Sequence, residues 1–165
     1  MIPVVSRVLL LLPSGTYKAP DFLEAARRLG VEVVVASETE QTLAEAMGDR
    51  ALVVDLADPS SSTASIIALA ARHPLDAVVA VDDQGLLIAA LAARELGLPA
   101  NDPEAVARTR NKAAMRAALA SAGATAPAFL QPSFRVVARG DDVVAAAGEL
   151  GWPVVVTRCH RRQGL

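Results

Sequence analysis

The sequence predicts an α/β fold built on an open parallel sheet with helices on both faces, and three observations predict it. Short β-branched runs alternate with longer Ala- and Leu-rich segments, the rhythm of strand-helix-strand units that cross over a parallel sheet. Hydrophobic residues make up 53% of the chain and aromatic residues only 3%, so the core must be built from Ala, Val, Leu and Ile, which suits helices packed closely on a sheet. The 165 residues hold one full α/β domain with about forty residues over for the start of a second, and two complete domains do not fit.

The first strand is read over Arg7 to Pro13, and the loop Ser14-Gly15-Thr16-Tyr17 leads into a helix from Pro20 to Leu29. Phe22, Ala25, Ala26 and Leu29 fall on one face of that helix at helical spacing, and Gly30 ends it as a C-terminal cap. Val31 to Ala36 is the second strand, Thr42 to Met47 a short helix, and Leu52 to Leu56 the third strand. Ser60, Ser61 and Ser62 after Pro59 offer capping oxygens for a helix to Arg72, which His73-Pro74 stops. Ala77 to Val81 is the fourth strand, and its unbroken apolar character predicts that both faces are covered. Asp82 and Asp83 stand where it gives way to a helix over Gly85 to Leu96, at the carboxyl edge along which open α/β folds bind ligands.

Beyond Pro99 the rhythm changes. Asp102-Pro103-Glu104 starts a helix with Asp as N-cap and Pro in the first turn, and a second helix runs from Asn111 to Ala122, ended by Gly123. Ala128 to Leu130 and Phe134 to Ala138 read as strands, Asp141 to Leu150 as a helix and Pro153 to Val156 as a strand, with Trp152 packed beneath it. The expected division is residues 1–101 as an α/β domain and 102–165 as an incomplete α+β segment, with no internal repeat or low-complexity tract.

A formal net charge of −2 lacks the basic surplus that a phosphate backbone requires, so no nucleic-acid partner is expected. Arg158, Arg161 and Arg162 crowd the last eight residues, which leaves the body of the chain more acidic still. The single Cys159 cannot close an internal disulfide, so a cytoplasmic, reducing compartment is the default. The apolar run Val8 to Leu12 is too short to span a bilayer and lacks a signal peptide's charged start, so no membrane partner is expected.

An ordered set of motifs goes further. It comprises Asp76 to Asp83 (DAVVAVDD), Leu91 to Pro99 (LAARELGLP), Asn101 to Ala105 (NDPEA), Asn111 to Arg116 (NKAAMR), Ala122 to Pro127 (AGATAP) and Glu149 to Val156 (ELGWPVVV). The set resembles the ATP-grasp superfamily, across nearly the whole chain and best over residues 76–156. In that family a Rossmann-like domain feeds a helix with a "K…R…L…AG" pattern that opens the nucleotide-binding lobe.

The resemblance implies a carboxylate-amine or similar ligase that makes an acyl-phosphate from ATP, with Mg²⁺, and acts on a small-molecule carboxylate or amine. It makes residues 1–101 the pre-ATP-grasp domain and residues 102–165 the start of the nucleotide-binding lobe. Lys112 matches the family lysine that reaches ATP phosphates. Arg116 lies four residues on, on the same helical face, where like charges repel unless an anion sits between them; a solvated basic face is the alternative. Thr157 stands where the family's second phosphate-contacting lysine belongs, so one cationic contact is missing.

Arg158 to Leu165 does not resemble the family's next loop, and the Mg²⁺ ligands and acyl-phosphate arginine would lie past Leu165. The chain is therefore expected to be inactive alone, because phosphoryl chemistry depends on those charge clamps. The loss of pattern at Thr157 motivates the hypothesis of a frame shift in a GC-rich gene. Neighbouring reading frames that never continue into a lysine-bearing strand would overturn it.

Ser14-Gly15-Thr16 after the first strand can cradle an anion with its backbone amides, and the resemblance implies that this loop, with Ser14 and Gly15, faces the substrate rather than ATP. The loop lacks the glycine spacing of a dinucleotide site or a P-loop. Asp82 and Asp83 either hold a substrate amine or cap the following helix, with Asp83 the better placed cap. Asp55 after the third strand lacks the acidic pair of a phosphoacceptor site, and His73, His160 and Cys159 lack metal-ligand spacing, so no metal site is expected within the chain. A final strand with an open edge allows self-association, including a homodimer. The rival reading is a stand-alone flavodoxin-like binding or regulatory module without catalysis.

Overall fold

The computed structural model describes residues 6–39, 50–123 and 131–159. The chain divides into two compact units, Met1–Val106 and Ala107–Leu165, each described by itself below.

The first unit carries strands β1 (Arg7–Leu11), β2 (Glu32–Ser37), β3 (Ala51–Val53) and β4 (Ala77–Ala80). Helix α1 (Ala19–Leu29) follows β1, α2 (Pro59–Ala70) follows β3, and a 3₁₀ turn (Asp83–Gly85) leads from β4 into α3 (Leu86–Glu95). The sheet order is β3-β2-β1-β4, with every pairing parallel. Leu11 of β1 stands level with Ala36 of β2 and with Ala80 of β4, so all three strands reach one carboxyl edge together.

Alternation along each strand sends its residues to two apolar layers. Leu9, Leu11, Val34 and Ala36 meet Ile66 and Leu69 of α2 and Ile88 and Ala92 of α3 on one face. Leu10, Leu12, Val35 and Val81 meet Ala19 and Phe22 of α1 on the other. Helices thus cover both faces, as the sequence predicts. Leu9, Leu11, Val34, Ile66 and Ile88 are fully enclosed, each burial worth about 1.5–3 kcal/mol.

The elements differ from expectation at their ends. β1 stops at Leu11 rather than Pro13, because proline has no N–H to extend a ladder. Helix α2 is capped by Asp58, whose carboxylate accepts from the Ser60 and Ser61 amides at 3.1 Å, rather than by the serine hydroxyls. Ser62 is inside the helix, with its hydroxyl donating to the Asp55 carbonyl at 2.7 Å. On α1, Ala26 is buried and Phe22 half-buried, but Leu29 is 76% exposed, since it sits on the last turn where the helix leaves the sheet. Gly30 closes α1 at φ 66°, a left-handed conformation that needs glycine. The strand β4 is half-buried throughout rather than enclosed, because it lies at an edge of the sheet. The helix expected over Thr42 to Met47 lies outside the described residues.

Helix α4 (Pro103–Thr109) begins at the end of the first unit, with the Asp102 carboxylate accepting from the Glu104 amide at 2.6 Å. The second unit holds α5 (Lys112–Gly123) and α6 (Val143–Leu150). Asn111 caps α5 by accepting from the Ala114 amide at 3.1 Å, and Asp142 caps α6 by accepting from Val144 and Ala145.

No strand forms among the described residues of this unit. Phe134 to Ala138 and Pro153 to Val156, both expected as strands, run without a ladder, because a strand needs a neighbour and the described residues pair with neither. The strand expected over Ala128 to Leu130 lies outside the described residues. Trp152 is 68% exposed rather than packed beneath a strand.

Candidate functional site

The strand order reverses between β1 and β4: the chain steps outward from β1 to β2 to β3, then returns to β1's free side. At such a reversal the connections leave the sheet in opposite directions and open a crevice at the carboxyl edge, the place where ligands bind in open α/β sheets. Ser14 and Gly15 follow β1 here, and Asp82 and Asp83 follow β4. Two bonds hold the strand ends together: Val81 N–H donates to the Leu11 carbonyl at 3.1 Å, and Leu12 N–H to the Ala36 carbonyl at 2.9 Å.

The loop after β1 is ordered by its own groups. Thr16 N–H donates to the Pro13 carbonyl at 3.0 Å, and Lys18 N–H to the Thr16 hydroxyl at 3.3 Å. Ser14 and Gly15 are exposed. The Ser14 amide donates to the Glu38 carboxylate at 2.9 Å. Glu38 follows β2 directly, and its contact with this loop was not foreseen; an acid at the carboxyl end of the second strand is the signal that marks it.

Asp82, rather than the expected Asp83, does the capping after β4. Its extended backbone turns the carboxylate over the first amide of the 3₁₀ turn, and it accepts from Asp83 N–H at 2.7 Å. Asp83 is the first residue of the turn itself and is exposed. Gly85 ends the turn, buried against β1 and β4. A Cβ there would lie 2.9 Å from the Leu11 Cβ and 3.3 Å from the Ala80 Cβ, so only glycine lets the turn approach the sheet this closely. Its role was missed because glycine before a helix reads as an ordinary start.

Lys112 and Arg116 belong to the second unit. Lys112 opens α5 with its side chain exposed, and its backbone N–H donates to the Cys159 carbonyl at 2.7 Å, tying the helix start to the segment that follows Thr157. Arg116 is half-buried one turn on, and its carbonyl accepts from the Gln131 amide at 3.2 Å. The spacing puts two cations on one side of the helix, an arrangement that suits an anionic ligand. Among the described residues, no three His, Cys, Asp or Glu side chains gather to hold a metal ion.

Residues 23–100 match the ATP-grasp N-terminal domain family. Over 155 residues the chain is 34% identical to a formate-dependent phosphoribosylglycinamide formyltransferase of Prochlorococcus marinus strain MIT 9313, covering 93% of this chain and 37% of the relative. The enzyme of the same description from strain MIT 9303 is 31% identical over 157 residues, with the same coverage. The chain thus spans little more than a third of the length of either relative. Among solved structures, an ADP complex of N5-carboxyaminoimidazole ribonucleotide synthetase superposes with a TM-score of 0.63 at 16% identity, over 91% of this chain and 37% of that one. An L-amino acid ligase from Bacillus licheniformis superposes with a TM-score of 0.57 at 21% identity, over 72% of this chain and 30% of that one. These two likenesses speak to the fold.

Proposed function

We propose, from the premise that this chain belongs to the ATP-grasp superfamily and carries its N-terminal domain, that it forms the substrate-side portion of an ATP-dependent ligase. The observation that carries this is the match to the formate-dependent formyltransferases over 93% of the chain, at both the α/β unit and the segment after it. Their description names formate and a phosphoribosyl compound, so we take the substrates to be a small carboxylate and an amine borne on a phosphorylated sugar.

In this reading the carboxylate oxygen attacks the γ-phosphoryl group of ATP, giving an acyl-phosphate and ADP. The amine then attacks the acyl carbon, the C–N bond forms, the C–O bond to phosphate breaks and the amine loses a proton. The carboxyl edge of the first unit binds the amine substrate, with the Ser14–Gly15 loop facing it and Asp82 or Asp83 toward the amine. Lys112 supplies positive charge to the ATP phosphates, and Arg116 adds to the local potential. The described residues do not fit Mg²⁺, since no three His, Cys, Asp or Glu side chains gather among them. A cytoplasmic site of action accords with these metabolites.

The test is formate-dependent ATP hydrolysis with a phosphoribosyl amine, measured on this chain and on a polypeptide extended to the relatives' length. Turnover in the extended form and none in this chain is the expected result. An extended form with no carboxylate-dependent turnover would overturn the ligase reading.

A further inference from the structure

Glu38 stands directly after β2 at the carboxyl edge and has no role in the function proposed above. In the parallel ladder of β1 and β2, Leu11 is level with Ala36, and Leu12 N–H donates to the Ala36 carbonyl at 2.9 Å. Two residues further along the same register, Ser14 N–H would meet the Glu38 carbonyl. It donates instead to the Glu38 carboxylate, at 2.9 Å. The side chain thus adds a rung where the backbone ladder has run out. Pro13, which has no N–H, carries the chain between the two rungs. There the chain turns, with Thr16 N–H donating to the Pro13 carbonyl at 3.0 Å. Such a turn uses its fourth amide and leaves its second, here that of Ser14, to an outside partner. Because that partner belongs to the end of β2, the turn is fixed to the sheet as well as to itself.

We propose that Glu38 is a positioning residue for the carboxyl edge: its carboxylate holds the Pro13–Thr16 turn at the end of β2, in place before a substrate arrives. The proposal rests on the substrate-side reading of that turn. Glu38 touches the turn's backbone and acts on a substrate only through it. A turn already held has little freedom left to lose when a ligand orders it, which shows as tighter binding without a new contact. The opposite end of β1 offers the comparison. There Arg7 N–H donates to the Asp76 carboxylate at 2.7 Å, the same kind of bond at the amino edge of the sheet.

Hydrogen exchange on the full chain reads the rung itself. Glu38→Ala should speed exchange of the Ser14 amide about tenfold, while Glu38→Gln, which keeps an acceptor oxygen, should restore most of the protection. The functional readout is the formate-dependent assay on the polypeptide of the relatives' length. There Glu38→Ala should raise KM for the phosphoribosyl amine about fivefold and leave kcat and KM for ATP unchanged, and Glu38→Gln should return KM toward wild type. Asp76→Ala should leave that KM unchanged, which separates positioning from a general loss of stability. Equal Ser14 exchange in wild type and Glu38→Ala would overturn the proposal. So would an unchanged KM for the amine once Ser14 is released, or an equal rise in Asp76→Ala; in each case turnover by the unmutated extended form leaves the ligase reading standing. An extended form without carboxylate-dependent turnover would overturn both.

Discussion

Gly85 shows how much of the site depends on a missing side chain. With β1 and β4 behind it at contact distance, Gly85→Ala must push the 3₁₀ turn, and Asp82 and Asp83 with it, away from the sheet. The expected cost is about 1–3 kcal/mol, typical of overpacking, and urea denaturation measures it. Ser37→Ala should behave oppositely: removing an unpartnered buried hydroxyl leaves stability unchanged or raises it by about 1 kcal/mol, read from the same curves. Lys112→Ala, made in a polypeptide of the relatives' length, should raise the KM for ATP about tenfold with little change in fold, because the side chain is exposed. Sequence reasoning found the two aspartates after β4 but chose the wrong one as cap. The choice turns on the backbone angles of Asp82, which no residue identity reveals. Ser37 was invisible for the same kind of reason: it reads as the last residue of an apolar run, and only the packed layers show that its hydroxyl is stranded.

Local signals carried the elements of the first unit well. Periodicity, Pro59, Gly30 and the Asp102-Pro103 pair are all properties of a few adjacent residues, and each element they mark is present within a few positions. The cap of α2 was misassigned to serines because hydroxyl and carboxylate caps compete within one short stretch, and the charged oxygen of Asp58 reaches two amides at once. Asp58→Ala should therefore lower stability by about 1 kcal/mol, whereas Ser60→Ala, whose hydroxyl caps nothing, should change it by only a few tenths; thermal melts compare the two. Strands of the second unit were misread because pairing is not local. Val155 and Val156 have the composition of a strand, yet they are 89% and 69% exposed with no ladder beside them. Apolar content predicts what a segment would do with a neighbour, and the neighbour must come from elsewhere in space.

The whole molecule divides its core unequally. Among the described residues of the second unit, Ala147 is the only buried hydrophobic side chain, while Phe134, Val136, Val144, Trp152, Val155 and Val156 are exposed. The first unit thus holds nearly all the enclosed apolar surface, and the second presents apolar surface to solvent. A form ending near Asn101 should unfold cooperatively and run as a monomer by light scattering, whereas the full chain should self-associate as concentration rises. Loss of cooperative unfolding in the shorter form would show that the first unit needs residues beyond that point.

Because β1 lies between β2 and β4, its second neighbour comes 69 positions later in the chain, where Val8 meets Ala77. On the ribosome the middle of the sheet must wait for that stretch to emerge, several seconds at ordinary elongation rates. During that interval one flank of β1 has no permanent mate, and any chaperone that greets the nascent chain would find its target there.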